Sequence, residues 1–274
     1  MGDKLTEKYK KYYKKISKDD LEAINYYKGF GYELLNKIIN NKKLDESYTL
    51  DYIPEIKDGR EVVVKGLHDY IKSDLIKTLS YIPIIDNIFT KMPATDRVIT
   101  VFRGIKEDKK NKFISKYKVG DKIKFNSYTS TSMSPEVSAR FTQGMKTSCC
   151  FMVITIPKNV KMIYIPWIPY KKSSSISLKN SSFGADEFEL LLPRGSEFVV
   201  KNIESIKTTD IVLQEYKKYK ELLKNISSKN NILVYHLHYI GNKPDPIYIS
   251  ADQLLSTVKK ICIENINLKN KFSV

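Results

Sequence analysis

The chain is poor in the residues that hold metals and disulfide frameworks. Of its 274 residues, three are cysteine and three are histidine. Cys149, Cys150 and Cys262 show no ligand spacing. Cys149-Cys150 opens an apolar run and reads as part of a buried strand, so neither a disulfide scaffold nor a structural metal site is expected. His68, His236 and His238 form no ligand set, and the last two alternate along a strand pattern as surface-side residues. No metal is expected. No run approaches the roughly 20 apolar residues of a membrane span, and the first residues lack the apolar segment of a signal peptide. Also missing are a Walker loop, a dinucleotide GxGxxG and any internal repeat.

What is present is a sizeable core and an excess of positive charge. The chain is 42% hydrophobic, with 47 basic and 31 acidic residues and a net charge of +16. Such a surface favours anionic partners, whether nucleic acid, membrane, acidic protein or phosphorylated ligand. The basic residues are spread along the chain rather than gathered in a tail, which reads as a general surface potential. Nucleic-acid contact is compatible with this charge but is not the favoured reading.

Periodicity predicts helices from Lys4 to about Asn41, with Ser17-Lys18-Asp19-Asp20 as an N-terminal cap. Gly29 and Gly31 split that pattern amid aromatics. Residues 42–60 read as loop, and 61–91 as helix up to the break at Met92-Pro93. From there on the pattern turns to strands: Arg97–Phe102, a hydroxyl-rich stretch within Phe125–Ser134, Cys149–Pro157, Val160–Ile165, a weak one at Ile176–Leu178, Glu197–Ile206 and Ile232–Ile240. Helices are interposed at Glu136–Phe141 and Ile211–Asn225, and a last one spans Asp252–Cys262. Helices first and many short strands later predict an α+β fold, with N-terminal helices packed on two antiparallel or mixed β-sheets.

Three stretches carry candidate chemistry. Arg103, at the end of the first strand, shares a face with Ile99 and Val101, where a guanidinium needs an anion; a terminal surface arginine is the alternative. Ser130-Thr131-Ser132 can brace neighbouring strands. Glu187-Phe188-Glu189 leads into Leu190-Leu191-Leu192 and a Pro-Arg-Gly turn. On an extended strand the two carboxylates face one way, and Phe188 and Leu190 face the other, into apolar packing. Acids aimed together into a cleft stabilise a developing cation. An edge strand with a solvated acidic face is the plainer alternative.

Taken in order, Arg103, Ser130-Thr131-Ser132 and Glu187-Phe188-Glu189 resemble the signatures of the ADP-ribosyltransferase exoenzyme family, which includes the enzymatic components of clostridial binary toxins. The resemblance covers roughly residues 17–241. Tyr27, Tyr32 and Asn36 resemble the helical motif with which binary-toxin members contact NAD, and Phe141 stands where they place an aromatic against nicotinamide. There are departures. Gly144 occupies a position often held by arginine, for which Arg140 or Lys146 is the substitute. Gly184 occupies the place of a loop aromatic, with Phe183 one residue further back.

The resemblance implies a catalytic domain over residues 1–245, comprising a helical lobe (1–95) and a β-sandwich core (96–245), followed by a C-terminal helix and tail (246–274). It implies an NAD cleft between the sheets. Arg103 and Gly104 would serve the pyrophosphate, and Ser130 would fix Glu189. Thr131, Ser132, Phe141, Tyr27, Tyr32 and Asn36 complete the NAD contacts. Glu189 would stabilise an oxocarbenium-like transition state and Glu187 would handle the acceptor. In the family a Glu at that first position goes with arginine acceptors, so the expected activity is transfer of ADP-ribose from NAD to a protein arginine, with release of nicotinamide. Actin is the commonest such target among toxins. The expected place of action is the cytoplasm, of the producing cell or of a host after delivery. The rival readings are an NAD glycohydrolase with water as acceptor and a non-catalytic basic binding module.

Overall fold

A computed structural model describes residues 9, 11–12, 16–41, 60–106, 116–141, 149–165, 188–207, 231–247, 253 and 256. The chain divides into two compact units, Lys18–Asn87 with Asp245–Val274, and Met1–Ser17 with Ile88–Pro244.

The first unit is helical. Helix α1 spans Lys18–Tyr26, a π-helical turn follows over Tyr27–Gly31, α2 spans Tyr32–Asn41 and α3 spans Arg60–Lys91, whose last turn belongs to the other unit. Asp19 and Asp20 occupy the first turn of α1, where carboxylates complement the helix dipole. Ala23, Ile24, Leu34, Leu35, Ile38 and Ile39 are buried in the stripe expected of helices that pack on one side. The two glycines do not break the helix as their composition predicts. The backbone continues through them in a wider turn.

Side chains tie α1 to α3 within this unit. The Tyr26 hydroxyl lies 2.5 Å from Thr78 Oγ1, and the Tyr26 ring packs on Tyr81 at 4.9 Å between centroids. The Tyr81 hydroxyl donates to Glu22 Oε1 at 2.7 Å, and Lys77 Nζ stands 3.1 Å from the same oxygen. The hydrogen bond from Tyr81, then Lys77, holds the Glu22 carboxyl below its ordinary range.

The second unit carries the strands: β1 (Ile99–Lys106), β2 (Lys122–Phe125), β3 (Thr129–Ser132), β4 (Cys149–Ile156), β5 (Ile163–Tyr164), β6 (Glu189–Leu192), β7 (Ser196–Lys207) and β8 (Asn231–Asn242). A six-residue helix, α4 (Pro135–Arg140), follows β3. The strand order is β2-β7-β8-β4-β1-β3-β6-β5. Among the described strands only β4 and β8 run parallel; the other pairs are antiparallel. The fold is α+β, with a large mixed sheet. Its two groups of strands meet at the single register pair Phe102↔Ser132 between β1 and β3.

The central strands are apolar because they are covered. Val101, Met152, Ile154, Ile156 and Leu237 are buried, and Leu190, Leu191 and Leu192 fill β6 without alternation. At the other end of the sheet, Phe125, Phe198 and Tyr239 pack edge to face at 5.3 and 5.6 Å between centroids. Cys150 is buried as expected, and His236 and His238 are half-buried, His236 meeting Glu204 at 2.8 Å.

Three details depart from the expectations. β1 continues through Arg103-Gly104 to Lys106, because it pairs with β4 along its whole length. Arg103 therefore lies inside a strand and not at its end. β2 has no clear signal in the sequence; Lys122-Ile123-Lys124-Phe125 is too short for its alternation to stand out, and pairing with β7 sets it. Phe188 is not extended and does not face apolar packing. Its φ is +45° and it is 45% exposed, since the chain turns there before β6 begins at Glu189. The loop at 42–60 apart from its last residue, the strand at 176–178, the helix at 211–225, most of the helix at 252–262, and Glu187, Lys146 and Gly144 lie outside the described residues.

Candidate active site

Three adjacent strands, β1, β3 and β6, bring the sequence motifs together. The register sets Ser132 directly opposite Glu189 and Ser130 opposite Leu191. Directly opposed residues project to the same side, so Ser130, Ser132 and Glu189 share one face. Ser132, not Ser130, is the direct cross-strand neighbour of Glu189; Ser130 is the diagonal one. Thr131 points the other way, and its hydroxyl donates to the Leu190 carbonyl at 2.6 Å in a buried site. The main-chain amide of Met133 donates to the Phe188 carbonyl at 3.1 Å, which pins the turn into β6 against the end of β3.

Arg103 reaches across to β3. Its Nη1 donates to the Ser130 carbonyl, and its guanidinium lies 5.9 Å from the centroid of the Phe125 ring. A planar cation held by a carbonyl and an aromatic face keeps a fixed orientation. Gly104, next along the strand, pairs with Phe151 of β4.

Helix α4 is fastened to the same strands. The Ser138 hydroxyl donates to the Phe102 carbonyl at 2.9 Å, and the Ser134 amide donates to Ser132 Oγ at 2.9 Å. Phe141 follows this helix, with its amide on the Ser138 carbonyl at 3.3 Å and its ring 54% exposed. An exposed ring tied by two short links to the strand bearing Arg103 is suited to stacking on a flat heterocycle. Ser134-Pro135 marks the start of this helix in the sequence, but nothing there singles out Ser138, whose hydroxyl fastens it to β1.

In the helical unit, Tyr27 is 4% exposed and Tyr32 is 43% exposed, with ring centroids 6.4 Å apart in an edge-to-face pair. Asn36 follows Tyr32 by four residues on one face of α2. Its Oδ1 is buried and accepts no hydrogen bond among the described residues. A buried acceptor left without a donor costs about 1–3 kcal/mol, which a ligand donor would recover. No group of three His, Cys, Asp or Glu side chains stands close enough to hold a metal, and no helix is long and apolar enough to cross a membrane, among the described residues.

Comparison with known proteins accords with these features. The sequence profile described as ADP-ribosyltransferase exoenzyme matches residues 5–223. This chain belongs to the ADP-ribosyltransferase exoenzyme family. Its fold is similar to that of Plx2a, an ADP-ribosyltransferase toxin from Paenibacillus larvae (TM-score 0.51, 16% identity, covering 86% of this chain and 92% of that one). It is also similar to the ATR domain of Salmonella SpvB (TM-score 0.51, 16% identity, covering 82% and 100%). A third likeness is to C2-I, the enzymatic component of the C2 toxin of Clostridium botulinum (TM-score 0.50, 18% identity), where 87% of this chain spans 46% of that one. No curated protein sequence matches.

Proposed function

We propose that the protein transfers ADP-ribose from NAD to an arginine side chain of a target protein. The observation that carries this reading is that Ser130, Ser132 and Glu189 share one face of β3 and β6, while Arg103 on the neighbouring β1 donates to the Ser130 carbonyl. Membership of the family supports the donor and the transfer. A dinucleotide suits the residues present: a held guanidinium for the pyrophosphate, an exposed aromatic at Phe141, and an amide acceptor at Asn36 lacking a donor.

Each side chain then has a physical task. Arg103 meets the pyrophosphate with its planar, permanently charged guanidinium. Glu189 accepts a hydrogen bond from the ribose and stabilises the positive charge that grows as the bond to nicotinamide breaks. Ser130 and Ser132 hold that carboxylate to its face. Glu187 orients the incoming guanidinium, whose ordinary pKa above about 12 makes it a poor nucleophile, and takes its proton as the new C–N bond forms. Nicotinamide leaves with the electron pair of the broken bond. Tyr27, Tyr32, Asn36 and Phe141 complete the hold on NAD. Action in the cytoplasm of the producing or a host cell, with actin as one candidate acceptor, is part of the same proposal.

The test is incubation with NAD labelled in its adenylate half and with cell lysate. Wild type should label a protein band, mass spectrometry should place the group on arginine, and Glu189→Ala should label nothing. Nicotinamide release without any labelled protein would leave water as the acceptor and refute the transferase reading.

A further inference from the structure

The π-helical turn Tyr27–Gly31 decides which residues of the helical unit stand together. In an ordinary α-helix, residues five apart are rotated by about 140° beyond a full turn and face different sides. Tyr27 and Tyr32 are five apart, yet their rings meet at 6.4 Å. The wider turn, with one residue more per rotation, brings the fifth residue back over the first. Asn36, four residues further along α2, continues the same column.

An isolated π turn needs support, since the same residues can relax to α-helix by slipping one position. Tyr26 and Gly31 supply it. A Cβ on Gly31 would stand 2.3 Å from two ring carbons of Tyr26 and 2.6 Å from the Tyr26 carbonyl oxygen. The Tyr26 ring therefore lies against the glycine itself. That ring is fixed at its far side by the hydroxyl pair with Thr78 at 2.5 Å and by packing on Tyr81 at 4.9 Å.

We propose that Gly31, Tyr26 and Thr78 form a clamp that holds the π turn and thereby aligns Tyr27, Tyr32 and Asn36 for the dinucleotide. They are positioning residues, acting through the column and not by touching NAD. The inference rests on the proposed reading of that column as an NAD contact.

The experiment measures NAD affinity by calorimetry, and KM and kcat for nicotinamide release, on the full chain. Thr78→Val should weaken NAD about three- to tenfold, the worth of one hydrogen bond, with kcat within about twofold. Thr78→Ser, which keeps the hydroxyl, should behave as wild type. Gly31→Ala should weaken NAD at least as much as Thr78→Val. Deleting Gly31 should not, because Tyr27 and Tyr32 then stand four apart in a plain α-helix and still share a face. Equal behaviour of Thr78→Val and Thr78→Ser, or of Gly31→Ala and the deletion, overturns the clamp. Tyr32→Ala separates the two levels. If it leaves NAD affinity unchanged, the column is not an NAD contact and the clamp falls with it. If it weakens NAD while Thr78→Val and Gly31→Ala do not, the clamp alone is wrong.

Discussion

Glu189 on β6 stands directly across from Ser132 on β3, and Ser132 in turn is the residue through which β3 meets Phe102 of β1. One serine thus joins the acid to the strand that carries Arg103. The geometry of the proposed site is fixed by backbone pairing, and side chains only complete it.

Arg103 is the first residue to test. Lysine keeps the charge but loses the planar fork and its several donors. Arg103→Lys should raise KM for NAD about 10- to 100-fold, the worth of one charge-assisted hydrogen bond to a phosphate. Steady-state nicotinamide release measures it, and an unchanged KM would remove Arg103 from the pyrophosphate.

Thr131 braces the sheet from the opposite face. Its hydroxyl donates to the Leu190 carbonyl at 2.6 Å, and both residues are buried. Thr131→Val should cost about 1–2 kcal/mol, because it leaves that carbonyl short of a partner. Urea unfolding with an unchanged m-value would register it.

Gly195 closes the turn between β6 and β7 with φ +72°, and a Cβ there would lie 2.5 Å from the backbone of Lys243 and Pro244. Its amide donates to the Asn126 carbonyl and its carbonyl accepts from the Lys243 amide. Gly195→Ala has both a backbone strain and a clash to relieve, so a loss of about 2 kcal/mol or more is expected. A thermal midpoint equal to that of wild type would show that the segment at Lys243 yields freely.

Alkaline pH should act through Tyr239. Burial raises its pKa from 10.0 to about 12. A phenol whose pKa is raised by folding stabilises the folded state below its unfolded pKa, and that contribution is lost as pH climbs towards the folded value. Stability should therefore decline between pH 10 and about 12. Tyr239→Phe, which has no phenol to ionise, should show a shallower decline across that window in chemical denaturation. Parallel pH profiles for the two proteins would assign the decline to other groups.

The sequence announces the long elements and hides the local exceptions. β4, β7 and β8 read clearly because runs such as Cys149–Ile156 are apolar but for Thr155 and Asn231–Asn242 alternates over many residues. Arg103, Ser130-Thr131-Ser132 and Glu189 are legible as motifs, and strand pairing explains why they lie on neighbouring strands. The turn at Phe188 is not legible. An aromatic between glutamates and leucines reads as strand, whereas the positive φ comes from how β6 is anchored to Met133. Gly29 and Gly31 read as a helix break for a similar reason. Glycine is disfavoured in helices on propensity, but here the Tyr26 ring occupies the space a side chain would need.

The most direct test compares wild type, Glu187→Gln and Glu189→Gln, following nicotinamide release and incorporation of labelled ADP-ribose into protein in the same reactions. With NAD as donor and arginine as acceptor, Glu189→Gln should lose both signals by about 100-fold or more, on the scale of removing one group that stabilises transition-state charge. Glu187→Gln should lose incorporation while still releasing nicotinamide. Nicotinamide release by Glu189→Gln at the wild-type rate would contradict the account.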